Sequence, residues 1–393
     1  NPETINDREQ IIENAYVESK RRLSHVSPID RLIRSIITPS KNVSIEIDDT
    51  GKPNEIIEQL KDKKKLRNQV CLLIGSVGSG KSTFIDYLRK KALPQDLIQE
   101  TSWISLNLNN APVSKEKIYD WVINLTIERI KEICTDIEFD SIEFIKKVYN
   151  NEIKAKSSLL SILKEGSDEY NKEFYSLLKE LLQNKELYLL NIIKYLFQHR
   201  NKILIIVLDN CDKRNRDEQL LMFEVANWLK SSFNSMVFLP LRETTYDLYR
   251  NEPPLDTVIK DLVFRIDPPL LINVIQKRIE YALREIDANQ ADFTYFLSNG
   301  LKVTCKRAEI GNYLRCILHT LFENDFFKKL LIGLTGRNIR RGLEIFLDFC
   351  KSGHLHEDYI FKMRTAPKAF QIPNHIISRV ILRGKRLYYD ETC

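Results

Sequence analysis

The chain has 393 residues, an apolar fraction of 43% and a formal net charge of +6. That length exceeds what one hydrophobic core usually serves, so two or three domains are expected. The composition is ordinary for a water-soluble protein, no apolar run reaches the roughly 18 residues of a membrane span, and the first residues carry no signal-peptide pattern, so a cytoplasmic protein with no membrane partner is expected.

In chain order, residues 1–60 read as an N-terminal helical arm. Ile11, Ile12, Ala15 and Tyr16, then Leu32, Ile33, Ile36 and Ile37, recur at helical intervals, and Pro28 and Pro39 punctuate the arm. A core of alternating strands and helices is expected over 61–267, which implies a largely parallel sheet. Its strands are Val70–Ile74, Ser102–Leu108, Ile203–Leu208, Met236–Leu241 and Leu262–Ile266. Pro240 cannot donate to a ladder and is placed at a strand end. Residues 113–200 are rich in helix formers and nearly free of Gly and Pro, a long helical insertion into the sheet order. From Asp267-Pro268-Pro269 the alternation stops, and helices are expected over 268–365. Pro367 and Pro373 open a linker, and residues 366–393 read as the start of a further unit. The chain begins with Asn1 and stops just after a basic apolar stretch, which suggests a piece of a longer protein.

The sharpest feature follows the first strand. Residues 75–83 read Gly75-Ser76-Val77-Gly78-Ser79-Gly80-Lys81-Ser82-Thr83, a full match to G-x-x-x-x-G-K-[ST], the Walker A phosphate loop. The glycines allow the backbone to approach a polyphosphate with its N–H groups turned inward. The helix that follows presents its positive end to the same anion. Lys81 is expected to reach the β- and γ-phosphates of ATP, and the Ser82 hydroxyl to ligate Mg²⁺. A chance glycine-rich turn is the alternative, and an apolar strand before and a helix after argue against it.

Hydrolysis also needs the metal held and a water activated. The strand over 203–208 ends in Asp209-Asn210-Cys211-Asp212, so Asp209 is expected at the sheet's carboxyl edge as the second Mg²⁺-binding group; the alternative is a capping aspartate. An amide at Asn210 cannot take a proton from water. Asp212 either polarises the water or caps the turn, and turnover is expected to be slow. Arg242, after the strand over 236–241, is placed to meet developing charge on a phosphate or to pair with Glu243. Arg340 and Arg341 open a helix, where the dipole disfavours cations unless an anion is near. They are expected to reach the nucleotide, or else to pair with Glu344 and Asp348.

Together GSVGSGKST, ILIIVLDNCD, the strand ending in Arg242 and TGRNIRRGLEIF resemble the AAA+ ATPases and the related STAND ATPases, most of all the origin-recognition and Cdc6-like group. The resemblance covers about residues 60–365. It implies an α/β fold, a P-loop three-layer sandwich with an all-helical lid, in which TGRNIRRGLEIF is the sensor-2 helix and a winged helix follows. It implies an ATP- and Mg²⁺-dependent switch that couples nucleotide state to a homo-oligomer or an attached effector domain. Asn210 in place of Glu and the insertion at 113–200 are departures. The mixture of features is also similar to bacterial anti-phage defence ATPases.

Two rival readings stand beside the switch. Arg379, Arg383, Lys385 and Arg386 form a C-terminal basic segment interleaved with apolar residues, a DNA contact for an initiator- or loader-type ATPase. The other rival is a nucleotide-stabilised scaffold without turnover. Lys61, Lys63, Lys64, Lys65 and Arg67 read as solvated charge, as do the metal-capable residues from His354 to Asp358. The seven cysteines form no CxxC pair and fit reduced, buried thiols. The aromatic residues of the insertion, among them Tyr188 and Tyr195, read as helix packing.

Overall fold

The computed structural model describes residues 5–37, 70–160, 167–233, 235–257, 262–288, 293–296, 302–305, 307–350, 357–365 and 370–383. They fall into two compact units, Ser24–Gly75 with Leu88–Arg265, and Asn1–Leu23 with Ser76–Tyr87 and Ile266–Cys393. The arm expected over 1–60 is therefore divided. Helices α1 (Ile5–Asn14) and α2 (Lys20–Leu23) belong to the second unit and α3 (Val26–Ile37) to the first. Each part buries its own apolar residues, Ile12 and Ala15 in one and Ile29, Leu32 and Ile33 in the other. Pro28 sits in the first turn of α3, where its missing N–H costs nothing.

The first unit is built on five parallel strands, β1 (Val70–Gly75), β2 (Thr101–Asn107), β3 (Ile203–Asp209), β4 (Met236–Arg242) and β5 (Val263–Arg265), in the order β2-β3-β4-β1-β5. All five expected strands are present within a residue or two. β1 is buried throughout and β3 up to Leu208, because both faces of the sheet are covered. Val70, Leu72 and Ile74 join one core with Leu106, Ile206, Leu208 and Val237. Burial of one such side chain stabilises the fold by roughly 1.5–3 kcal/mol. Pro240 lies inside β4 rather than at its end. It is paired with Leu73 of β1, two residues after the pairing with β3 has stopped at Phe238, so one ladder has already ended where the donor is lost.

Between β2 and β3 come helices α6 (Lys115–Ile133), α7 (Ile142–Val148), α8 (Asn150–Leu160), α9 (Asp168–Gln183) and α10 (Lys185–Arg200); α4 (Lys81–Tyr87) and α5 (Gln95–Glu100) precede β2. The insertion is thus helical, as its composition implies. Ser141, Ser167 and Asn184 cap α7, α9 and α10 by accepting backbone N–H groups, which is why these polar residues fall at the breaks. Among its aromatic residues Tyr170, Phe174, Tyr188 and Tyr195 pack in or against the core, whereas Tyr175 and Phe197 are exposed. Tyr149 and Tyr188 stack, and their hydroxyls donate to the carbonyls of Leu181 and Phe139. Burial pushes the Tyr188 phenol up to about 12. After β3, α11 (Arg216–Phe233) packs on β4, and α12 (Glu243–Tyr249) leaves the end of that strand.

In the second unit, helices α13 (Leu271–Ala288), α14 (Arg307–Glu323), α15 (Asp325–Thr335), α16 (Ile339–Cys350), α17 (Glu357–Thr365) and α18 (Asn374–Arg383) follow one another. Among the described residues the expected lid is helical apart from one antiparallel hairpin, Phe293–Phe296 with Lys302–Cys305. Its core joins Ile275, Ile279, Ile317, Phe327 and Phe349 to Ile376, Ile377 and Val380 of α18. The chain through Arg383 therefore packs with these helices, where a new unit was expected from residue 366. Among the described residues no helix is long and apolar enough to cross a membrane.

Candidate functional site

The phosphate loop leaves the sheet at Gly75 and turns into α4 at Lys81. Gly78 and Gly80 have φ of +76° and +86°, the left-handed region that glycine enters at no steric cost. The Ser79 N–H donates to the Ser76 carbonyl at 3.2 Å, which closes the turn. Lys81 is buried and its Nζ donates to the same carbonyl at 3.1 Å, so the ammonium folds back over the loop. The backbone N–H groups of Val77, Gly78 and Gly80 meet no acceptor among the described residues. The fully buried Ser79 hydroxyl is also without a partner. A concavity of unspent donors beside an ammonium fits an anionic oxygen cluster such as a polyphosphate. Ser82 and Thr83 follow, half-buried, with hydroxyls of the hard-oxygen kind that Mg²⁺ takes.

The start of α16 is seated on this loop. A methyl group on Gly78 would meet Asn338 Oδ1 at 2.0 Å and the Arg340 backbone nitrogen at 3.4 Å. Gly336 and Arg337 both have positive φ, a tight turn that ends α15 and starts α16 two residues later. Asn338 Oδ1 accepts the Arg341 N–H at 3.1 Å and caps the helix. Arg340 and Arg341 are exposed and form no ion pair with Glu344, Asp348 or any other described residue. The structure thus brings the Arg340–Arg341 helix and the phosphate loop together.

The arm joins the same unit by contacts that local sequence did not announce. Arg8 pairs with Asp86, and Tyr87 donates to Glu18 at 2.9 Å and stacks on Tyr16. The Arg22 guanidinium binds the Ser79 and Asp267 carbonyls. In sequence Arg22 is the last of three consecutive basic residues and looks like solvated charge. In the fold it is 3% exposed. No spacing or motif marks it.

At the carboxyl edge of the sheet, Arg242 is the register partner of Gly75 and Asp209 that of Asn107. Asp209 Oδ1 accepts the Asn210 N–H at 2.8 Å. Asn210 has φ of +63°, and its side-chain amide donates to Asn107 Oδ1 at 2.8 Å. The position after Asp209 is thus left-handed and tied to the neighbouring strand, which suits Asn and not Glu. Asp212 lies in a short 3₁₀ turn, and its side chain is outside the described residues. Glu243 pairs with Arg265 rather than Arg242. Gln219, buried on α11 and marked by no motif, donates to the Arg214 carbonyl at 2.8 Å and accepts the Arg242 N–H at 3.4 Å. Arg214 is buried too, bound to the Leu108 and Ala111 carbonyls and paired with Glu218. Gln219 and Arg214 thereby hold the turn after β3 and the end of β4 at one spacing.

Other expectations are only partly placed. Lys61 to Arg67, His354, His356, Lys385 and Arg386 lie outside the described residues; Arg379 is exposed and Arg383 half-buried on α18. No group of three or more His, Cys, Asp or Glu residues gathers as a metal centre among the described residues. Cys71, Cys134, Cys211 and Cys316 are buried, and none of them forms a disulfide among the described residues.

A parallel sheet of this order, with a glycine loop and helix on the strand next to β4, is an α/β fold of the P-loop type. No family model matches the chain, and no curated protein matches it. Among solved structures it is similar to the ORC2 protein of Aeropyrum pernix in ADPNP–ADP complexes, at 10% identity and a TM-score of 0.40 over 98% of this chain and 73% of that one. It is similar to PCH-2 of C. elegans, at 12% identity and 0.37 over 96% and 72%. It is also similar to the Cdc6p of Pyrobaculum aerophilum, at 12% identity and 0.31 over 80% and 64%.

Proposed function

We propose that the chain is an ATP-binding, slowly hydrolysing switch of AAA+ or STAND kind. The observation that carries this reading is the loop over 75–83, whose positive-φ glycines leave backbone donors unspent beside a buried lysine, with the start of α16 seated on it. In this reading the loop N–H groups and Lys81 hold the phosphates. Arg340 and Arg341 answer to the γ-phosphate. Ser82 and Asp209 keep the Mg²⁺-binding roles that their sequence positions imply, the metal supplying charge neutralisation. Asn210 supports the slow turnover, because its amide bonds Asn107 and accepts no proton. The output is an arrangement of subunits or of an attached effector domain. Purified chain is expected to bind ATP and release phosphate slowly, Lys81→Ala to do neither, and Arg340→Ala to bind ATP without the ATP-dependent change in assembly seen by light scattering. Wild-type protein that binds ATP no better than Lys81→Ala overturns the reading.

A further inference from the structure

We infer that Arg22 is a positioning residue of the phosphate loop, holding the Ser79–Gly80 peptide and supplying a buried positive charge that bound polyphosphate balances. The inference rests on the ATP-binding reading and adds to it a residue of the N-terminal arm that no motif contains. Arg22 is only 3% exposed. Its guanidinium donates to the Ser79 carbonyl, to the Asp267 carbonyl at 3.0 Å and to the Tyr16 hydroxyl at 3.3 Å. All three acceptors are neutral, and no carboxylate pairs with it among the described residues. A buried cation met only by dipoles is costly unless a counter-charge arrives.

The position says which counter-charge. A methyl group on Gly80 would lie 3.2 Å from Arg22 Nη2, so the guanidinium touches the residue that precedes Lys81. In a trans peptide the carbonyl and the following N–H point in opposite directions. Because Arg22 draws the Ser79 carbonyl to itself, the Gly80 N–H points the other way, and it has no acceptor among the described residues. Arg22 thus sets the direction of a phosphate-binding donor and adds charge behind it. The same guanidinium holds Asp267, where the chain enters the helical segment, so the arm grips the loop and that entry together.

The test is calorimetric titration of the full chain with ATP, ADP and AMP. Arg22→Gln keeps a donor and removes the charge. It is expected to weaken ATP by about 10- to 100-fold, ADP less and AMP least, since charge-assisted bonds are the stronger ones. Arg22→Lys, which keeps the charge with fewer donors, is expected to fall between Arg22→Gln and wild type. Tyr281→Phe removes the bond that Tyr281 of α13 donates to Gln10 of the arm, which involves neither Arg22 nor the loop, and is expected to leave all three affinities unchanged. Equal weakening of all three nucleotides by Arg22→Gln, with a lowered melting temperature, would mean a merely structural role and overturns the inference. So does unchanged ATP affinity. Wild-type protein that binds no ATP overturns the function proposed above along with it, whereas wild-type binding without the graded loss overturns the role of Arg22 alone.

Discussion

Asn210 follows Asp209 at the end of β3, and its backbone explains the amide. With φ of +63° it occupies a region that Asn enters more readily than other side-chain-bearing residues, and its amide fastens the end of β3 to the end of β2. A carboxylate here is therefore expected to disturb the turn rather than to speed phosphate release. Asn210→Glu is expected to lower stability by about 1–3 kcal/mol through strain and the lost bond, with no rise in phosphate release. Asn210→Gly, which tolerates the φ, is expected to cost less. Thermal melts of the two variants decide it: a glutamate variant as stable as the glycine one would show that the backbone imposes no such limit. Residues of this kind were half legible. The sequence marked Asn210 as a departure, but the left-handed turn that makes it suitable exists only in the folded chain.

The helices meet at distances that composition does not record. α16 crosses the start of α13 at Gly342, where a methyl group would lie 2.5 and 2.6 Å from the Leu271 methyl carbons. Gly342→Ala is expected to destabilise by about 1–3 kcal/mol, as overpacking does. Leu271→Ala should relieve part of this in the double variant, because the atom in the way is a side-chain end. A double-mutant cycle on melting temperature measures the coupling, and strict additivity would contradict the contact. At this scale the sequence was most informative for the strands. Their apolar runs are set by burial on both faces, which leaves a local mark. It was weakest for the hairpin inside the helical segment. Phe293–Phe296 and Lys302–Cys305 are four-residue strands, too short for alternation to stand out from the surrounding helical pattern.

Across the whole molecule, the phosphate loop, the arm helices α1 and α2 and the segment from Ile266 form one compact unit. Within it Arg284 donates to the Asn14 carbonyl at 3.1 Å and Tyr281 to Gln10, while Arg8 and Glu18 bind the loop's own helix. A ligand on the loop acts on a body that includes the arm and α16. ATP at about 100 times its dissociation constant adds about 2.7 kcal/mol to whatever binds it. Hydrogen exchange is then expected to slow in residues 5–23 and 339–350 together with 76–87. Protection confined to the loop would mean that these contacts do not couple the parts. The sequence cut this body at residues 60 and 267, because linear reading groups residues by chain order.

What the sequence determined by itself was whatever local physics dictates. The loop over 75–83 needs glycines and a lysine in adjacent positions, the buried strands need unbroken apolar runs, and the insertion needs helix formers. Each requirement is met by neighbours in the chain and is therefore written there. The tertiary structure alone decided which distant groups serve the loop. Arg22 is 57 positions from Ser79, and Asn338 reaches Gly78 across most of the chain. An arginine buried against carbonyls and an arginine in water are the same letter. Their difference is desolvation, which depends on what the fold packs around them.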